Sequence, residues 1–235
     1  MNMNIDHHIS SKFNEELEEI RTRALQMGGA VEKQLANALA AINKGDLGLA
    51  KEVMASDYLI NAQEVEIDEQ CTQILATRQP AARDLRLIVT VIKTITDLER
   101  MGDEAQRVGH MAKQLVEHSY PSKHFQQIRN LGNHVSHMLH DALDAFARTD
   151  MGAALRVLEE DERVDQEYEA IMRQLITFMM EDPRSIPRSL EIMWSARALE
   201  RIGDRSCNIA EYVIYFVQGR DIRHTELSDV QDDLD

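Results

Sequence analysis

The chain has 235 residues, a formal net charge of −15 and a pI near 5.0. So acidic a surface repels a phosphate backbone, and nucleic acid is not an expected partner. Aromatic residues make up only 5% of the sequence, and Ala, Leu, Met, Glu, Gln and Arg dominate, an alphabet of helix formers that leaves no expected sheet.

The opening MNMNIDHHISSK has neither a charged leader nor an apolar segment. No apolar run reaches the ~20 residues needed to cross a bilayer. The expectation is a cytoplasmic chain with no direct membrane insertion.

The first predicted helix runs from about His7 to Lys44, with Phe13, Leu17, Ile20, Ala24, Met27, Val31, Leu35, Ala38 and Ile42 at spacings of three and four. After Gly45, Asp46 stands where an N-cap belongs and opens a second helix through Leu59, Ile67, Cys71 and Leu75 to Gln79. Pro80 breaks it, and the third helix follows with a stripe of Leu85, Ile88, Ile92, Ile95 and Leu98. Beyond Pro121 a fourth helix reaches the Thr149-Asp150 break, and Asp150 caps a fifth. Past Pro183 and Pro187 the sixth carries Leu190, Met193, Ala196, Leu199 and Ile202. The tail after Gly219, ending DVQDDLD, reads as a frayed acidic terminus.

LERMGD at Leu98–Asp103 returns as LERIGD at Leu199–Asp204. A shift of 104, Met27 onto Leu131, also aligns Met27–Asn61 with Leu131–Asp165 without a gap. It pairs Gly28 with Gly132, Leu39 with Leu143, Asp46 with Asp150 and Asp57 with Asp161. Between Leu98 and Leu199 the shift is 101, so three residues have been lost, most naturally from a loop. Three long helices per half with short turns predict an all-α protein of two tandem antiparallel three-helix bundles. The expected units are residues 1–119, residues 120–219 and the acidic tail 220–235.

Residues four apart share a helix face, so Glu99 points with Asp103 and Glu200 with Asp204. The middle helices carry matching pairs, Asp57 with Asn61 and Asp161 with Asp165. With 41 acids in 235 residues, roughly 7 such pairs arise by chance, so the recurrence at equivalent places is the signal. If middle and third helices face each other, the pairs converge into an oxygen-rich pocket suited to a hard or borderline cation. The alternative is ordinary salt bridging to Arg100, Arg201 or Arg205, worth about 0–1 kcal/mol each. Gly102 and Gly203 stand where di-iron carboxylate enzymes place histidine, which speaks against oxygen chemistry.

Other features read as structural. Arg197, Arg201 and Arg205 could hold a phosphate, but Thr96 and Glu104 replace two of them in the first repeat, which favours a solvated face. His134, His137 and His140 have no acidic partners in the local sequence and read as a polar face. The methionines, Met172, Met179, Met180 and Met193 among them, read mostly as core filler. Cys71 and Cys207 read as buried reduced thiols, and Gly28 and Gly132 as points of close helix approach. No Gly-rich phosphate loop, nucleophile elbow or His-Glu-x-x-His pattern occurs, so no enzymatic activity is expected.

RQPAARDLR at Arg78–Arg86, DLERMGDEA at Asp97–Ala105 and the second LERIGD together resemble the PhoU family of phosphate-regulon regulators, from about Ile9 to Val217. The resemblance implies two three-helix bundles related by a pseudo-two-fold axis. It implies surface metal sites at acidic-x-x-x-Asp motifs, here Glu99 with Asp103, Glu200 with Asp204, and Asp161 with Asp165. Asn61 after Asp57 departs from the pattern, leaving the first site one negative charge poorer and its expected occupancy weaker or different. The ion, divalent or trivalent, stays open between magnesium, manganese and iron. The implied role is negative regulation of the phosphate-starvation response, coupling the ATPase subunit of the phosphate ABC transporter to the phosphate-sensing histidine kinase when phosphate is plentiful, with a homodimer as the common state. The alternative is a metal-binding or storage bundle with no regulatory role.

Overall fold

Six helices follow from the six periodic segments: α1 (Ile5–Lys44), α2 (Leu47–Arg78), α3 (Ala82–Glu117), α4 (Gln126–Arg148), α5 (Met151–Glu181) and α6 (Ile186–Gln218), the last preceded by a 3₁₀ turn at Pro183–Ser185. The computed structural model describes residues 5–118 and 125–222, and no strand occurs among them. The unit boundary at 119/120 and nearly all of the acidic tail lie outside the described residues.

The turn chemistry is as the sequence predicts. Asp46 accepts from the backbone N–H groups of Gly48 and Leu49 at 2.9 and 3.0 Å, and Asp150 accepts from Ala153 N at 2.9 Å, each satisfying donors that a helix start leaves open. Gln79–Ala81 joins α2 to α3, whereas Asp182 alone separates α5 from the 3₁₀ turn. The three residues missing from the second repeat therefore match that loop. Arg78 closes the end of α2 onto α1 with two bonds to the Glu16 carboxylate, 2.8 and 2.7 Å.

Short connections make each trio antiparallel: α1, α2 and α3 pack together, as do α4, α5 and α6, and the two bundles meet through α3 against α6 and α1 against α4. One continuous apolar core runs through both. The α1 stripe predicted from Leu17 to Ile42 is buried throughout. Three predicted core positions face solvent instead: Leu59 is 52% exposed, Leu85 41% and Leu190 40%. In α2 the neighbouring Ile60 takes the inward place; periodicity does not choose between two adjacent apolar residues until α3 supplies the facing surface. Met180, read as core filler, is 80% exposed. Cys71 and Cys207 are buried free thiols as expected, and burial pushes the Cys71 thiol up to about 12.

The α1–α4 contact carries the internal symmetry. A Cβ on Gly28 would lie 2.6 Å from Leu143 Cδ2, and a Cβ on Gly132 would lie 2.3 Å from Leu39 Cδ2. Gly28 is the repeat partner of Gly132, and Leu39 of Leu143, so the same knob enters the same notch in both directions. Such reciprocity is what a two-fold axis imposes.

Candidate metal centres

In each bundle the middle and last helices are drawn together at the LER motif by its glycine. A Cβ on Gly102 would meet Ile60 Cδ1 at 3.1 Å, and one on Gly203 would meet Val164 Cγ1 at 3.3 Å. Ile60 and Val164 are themselves repeat partners. The glycine therefore serves close approach between α2 and α3, and between α5 and α6, bringing the acids of one helix against those of the next.

In the second repeat, carboxylate oxygens of Asp165, Glu200 and Asp204 all lie within 4.8 Å of one another. Asp161 sits one turn before Asp165, and burial, followed by repulsion from Asp165, raises its carboxyl above the ordinary range. Glu200 is buried; burial, then the charge of Asp204, pushes its carboxyl up to about 6.

The first repeat places Asp57 against Glu99 and Asp103. Burial, then Asp103, raises Asp57, while burial, then Asp103, Glu64 and Asp57, raises Glu99. Glu64, two turns beyond Asp57 on the same face of α2, adds a carboxylate whose charge acts on Glu99. Burial, then Asp68, and after it Asp103, raise the Glu64 carboxyl. Asp161, Asp165, Glu200 and Asp204 thus lie together in the second repeat, the last three converging within 4.8 Å, whereas in the first the charges of Asp57, Glu64 and Asp103 act on Glu99 without so close a convergence among the described residues. The spacing of seven from Asp57 was the available signal for Glu64.

The salt-bridge alternative meets little support. Arg201 donates to Glu104 at 3.2 Å and Arg205 lies 3.9 Å from Asp97, so both reach across to α3 of the other bundle. Among the arginines of the described residues, Arg197 is the one bonded to the second cluster, through Glu200 Oε1, while Arg100 acts on Glu64 and Glu99 in the first through its charge. Asp57 Oδ1, Asn61 Oδ1, Asp161 Oδ1 and Glu200 Oε2 are buried with no hydrogen-bond partner, which is costly for polar oxygens unless something positive is bound. An all-oxygen set with orphaned buried acceptors fits a hard or borderline cation, and these residues could hold one in each repeat.

The arginine stripe is accordingly not the solvated face expected of it. Asp97, 4% exposed, also accepts from Tyr212 at 2.8 Å and from Asn208 at 3.4 Å, forming a polar seam between the bundles. The replacement of Arg205 by Glu104 in the first repeat is what makes that seam complementary. Two of the three histidines, His134 and His140, also have acidic partners, supplied by other helices. His134 lies 3.2 Å from Glu167 and 3.1 Å from Glu160 on α5, and His140 lies 2.9 Å from Glu32 on α1.

Fold and sites together define a duplicated three-helix-bundle protein that presents one acid-lined cleft per repeat. The chain belongs to the PhoU family, since the PhoU domain model matches residues 24–112 and again 128–213. It is 51% identical over 223 residues to the phosphate-specific transport system accessory protein PhoU homolog of Pseudomonas putida, covering 95% of this chain and 87% of that one. Its identity to the phosphate-specific transport system accessory protein PhoU of Escherichia coli is 49% over 222 residues, covering 94% and 92%. Among solved structures it is similar to PhoU from Pseudomonas aeruginosa (TM-score 0.86, 51% identity, 88% of this chain and 100% of that one). It is also similar to the phosphate transport system regulatory protein PhoU from Streptococcus pneumoniae (TM-score 0.82, 30% identity, 89% and 98%).

Proposed function

We propose that this chain is an accessory protein of a phosphate transport system and a negative regulator of the phosphate-starvation response. It acts as a cytoplasmic homodimeric adaptor that couples the ATPase subunit of the phosphate ABC transporter to the phosphate-sensing histidine kinase when phosphate is plentiful, without catalysis of its own. The observation that carries this reading is near-identity of extent: relatives named as phosphate-specific transport system accessory proteins match at about half identity across almost the entire chain. No described helix is long and apolar enough to cross a membrane, which is consistent with docking onto membrane partners from one side.

Metal ions, divalent or trivalent, belong to this reading at the two acidic clefts. Asp57, Asn61, Glu64, Glu99 and Asp103 would hold one group and Asp161, Asp165, Glu200 and Asp204 the other. A bound cation supplies charge neutralisation that ties each middle helix to the last. The buried, partnerless oxygens support this assignment.

The test is alkaline phosphatase activity in phosphate-rich medium, in a strain lacking the protein and in strains restored with wild type or with Glu99→Ala, Asp103→Ala, Glu200→Ala and Asp204→Ala combined. High activity on deletion, silenced by wild type, is expected. Low activity on deletion would sink the regulatory reading and leave the metal-storage alternative.

A further inference from the structure

We infer that Arg197 is a built-in competitor cation at the second acidic cleft, so the two clefts take a metal with different affinity. The inference rests on the metal reading above. Two buried atoms point to a ligand at both places: Glu200, 7% exposed, has Oε2 without a partner, and Asp57, 8% exposed, has Oδ1 without one.

Arg197 donates to Glu200 Oε1, and Glu200 belongs to the trio of converging carboxylates. In the same conformation its guanidinium carbon lies 5.8 Å from the centre of the Tyr168 ring, so the aromatic face helps to hold the cation against Glu200. The side chain is 42% exposed, so it can swing out toward solvent without disturbing the core.

The first repeat has neither part of this device. Thr96 stands in the place of Arg197, and Glu64 in the place of Tyr168. One exchange removes a positive charge from the cleft and the other adds a negative one. Filling the second cleft requires Arg197 to release Glu200, whereas the first has only the charge of Arg100 nearby, matched in the second by its repeat partner Arg201. Asn61 therefore marks a cleft whose acid comes from Glu64, and it is the tighter site of the two.

The experiment is calorimetric titration of manganese(II) into the full chain stripped of metal. Glu99→Gln with Asp103→Asn leaves only the second cleft, and Glu200→Gln with Asp204→Asn only the first; circular dichroism confirms that each variant is folded. The first-cleft chain should bind more tightly. Adding Arg197→Thr to the second-cleft chain should tighten binding about tenfold, the effect of removing one nearby charge, while Arg197→Lys, keeping the charge, should stay near the parent. Thr96→Arg in the first-cleft chain should weaken binding about tenfold. Unchanged or weaker binding on Arg197→Thr overturns the inference alone. Absence of manganese binding in both folded parent chains removes the metal reading and the inference with it.

Discussion

In chelator, the protein should become more stable as pH falls from 7.5 to 5. Glu200 carries the largest part, because its carboxyl sits at about 6 against an ordinary 4.5, raised by burial and Asp204. A folded value above the unfolded one means the native state binds more protons in this window. Stability therefore rises as pH falls through 6 and gains nothing further from this group below 4.5. Keeping Glu200 ionised costs about 2 kcal/mol at pH 7.5, and its side chain is only 10% exposed, so solvent does little to reduce that. Between pH 7.5 and 5 about 1 kcal/mol of this is recovered, which for a chain of this size corresponds to about 2–4 °C in melting temperature. Asp57, Glu64, Glu99, Asp97 and Asp161 are raised too and act in the same direction. His140, raised by Glu32, adds stability on the acid side as well. Glu16 and Glu160 are lowered by their partners, and their contributions are lost only below the ordinary carboxylate range. Thermal melts in chelator at pH 7.5, 6.5, 5.8 and 5.0 read the effect directly, with Glu200→Gln as comparison. A melting temperature that is flat or falls with acidification, or a Glu200→Gln variant with the full wild-type slope, would refute the reasoning.

Gly132→Ala should destabilise by about 1 kcal/mol, as overpacking against Leu39 outweighs the gain in helix propensity. In a Leu39→Ala background the same change should stabilise, and denaturant titration of the four chains that shows no reversal of sign would reject the knob-and-notch account. Asp97→Ala should cost about 3 kcal/mol by leaving the Arg205 charge in the seam uncompensated; a loss under about 1 kcal/mol in urea unfolding would mean that solvent already satisfies that group. Asp150→Ala should cost about 1 kcal/mol through the lost cap on Ala153 N, and an unchanged unfolding midpoint would show that α5 starts without it.

How much was readable in advance depends on how local each cause is. The helices, their caps and the duplication are written in near-neighbour spacing: Asp46 and Asp150 cap the backbone two or three residues on, and Leu17–Ile42 repeats with the helical period. The three acidic pairs and the Asp57–Asn61 pair were visible for the same reason, since residues four apart share a face whatever surrounds them. The role of Gly102 and Gly203 was not visible, because it lies in contact with Ile60 and Val164 on another helix. Glu64 was overlooked as a cleft residue because its relevance comes from Glu99 and Asp103, some forty residues away. Arg201 and Arg205 read as a solvated stripe until α3 arrived opposite them with Glu104 and Asp97. His134 looked isolated until α5 supplied Glu160 and Glu167. Sequence by itself thus determined which residues share a helical face and that the unit is made twice. Only the tertiary structure decided which faces meet, and with them which acids are left without a countercharge, because buried charge takes its energy from neighbours that are close in space and far apart along the chain.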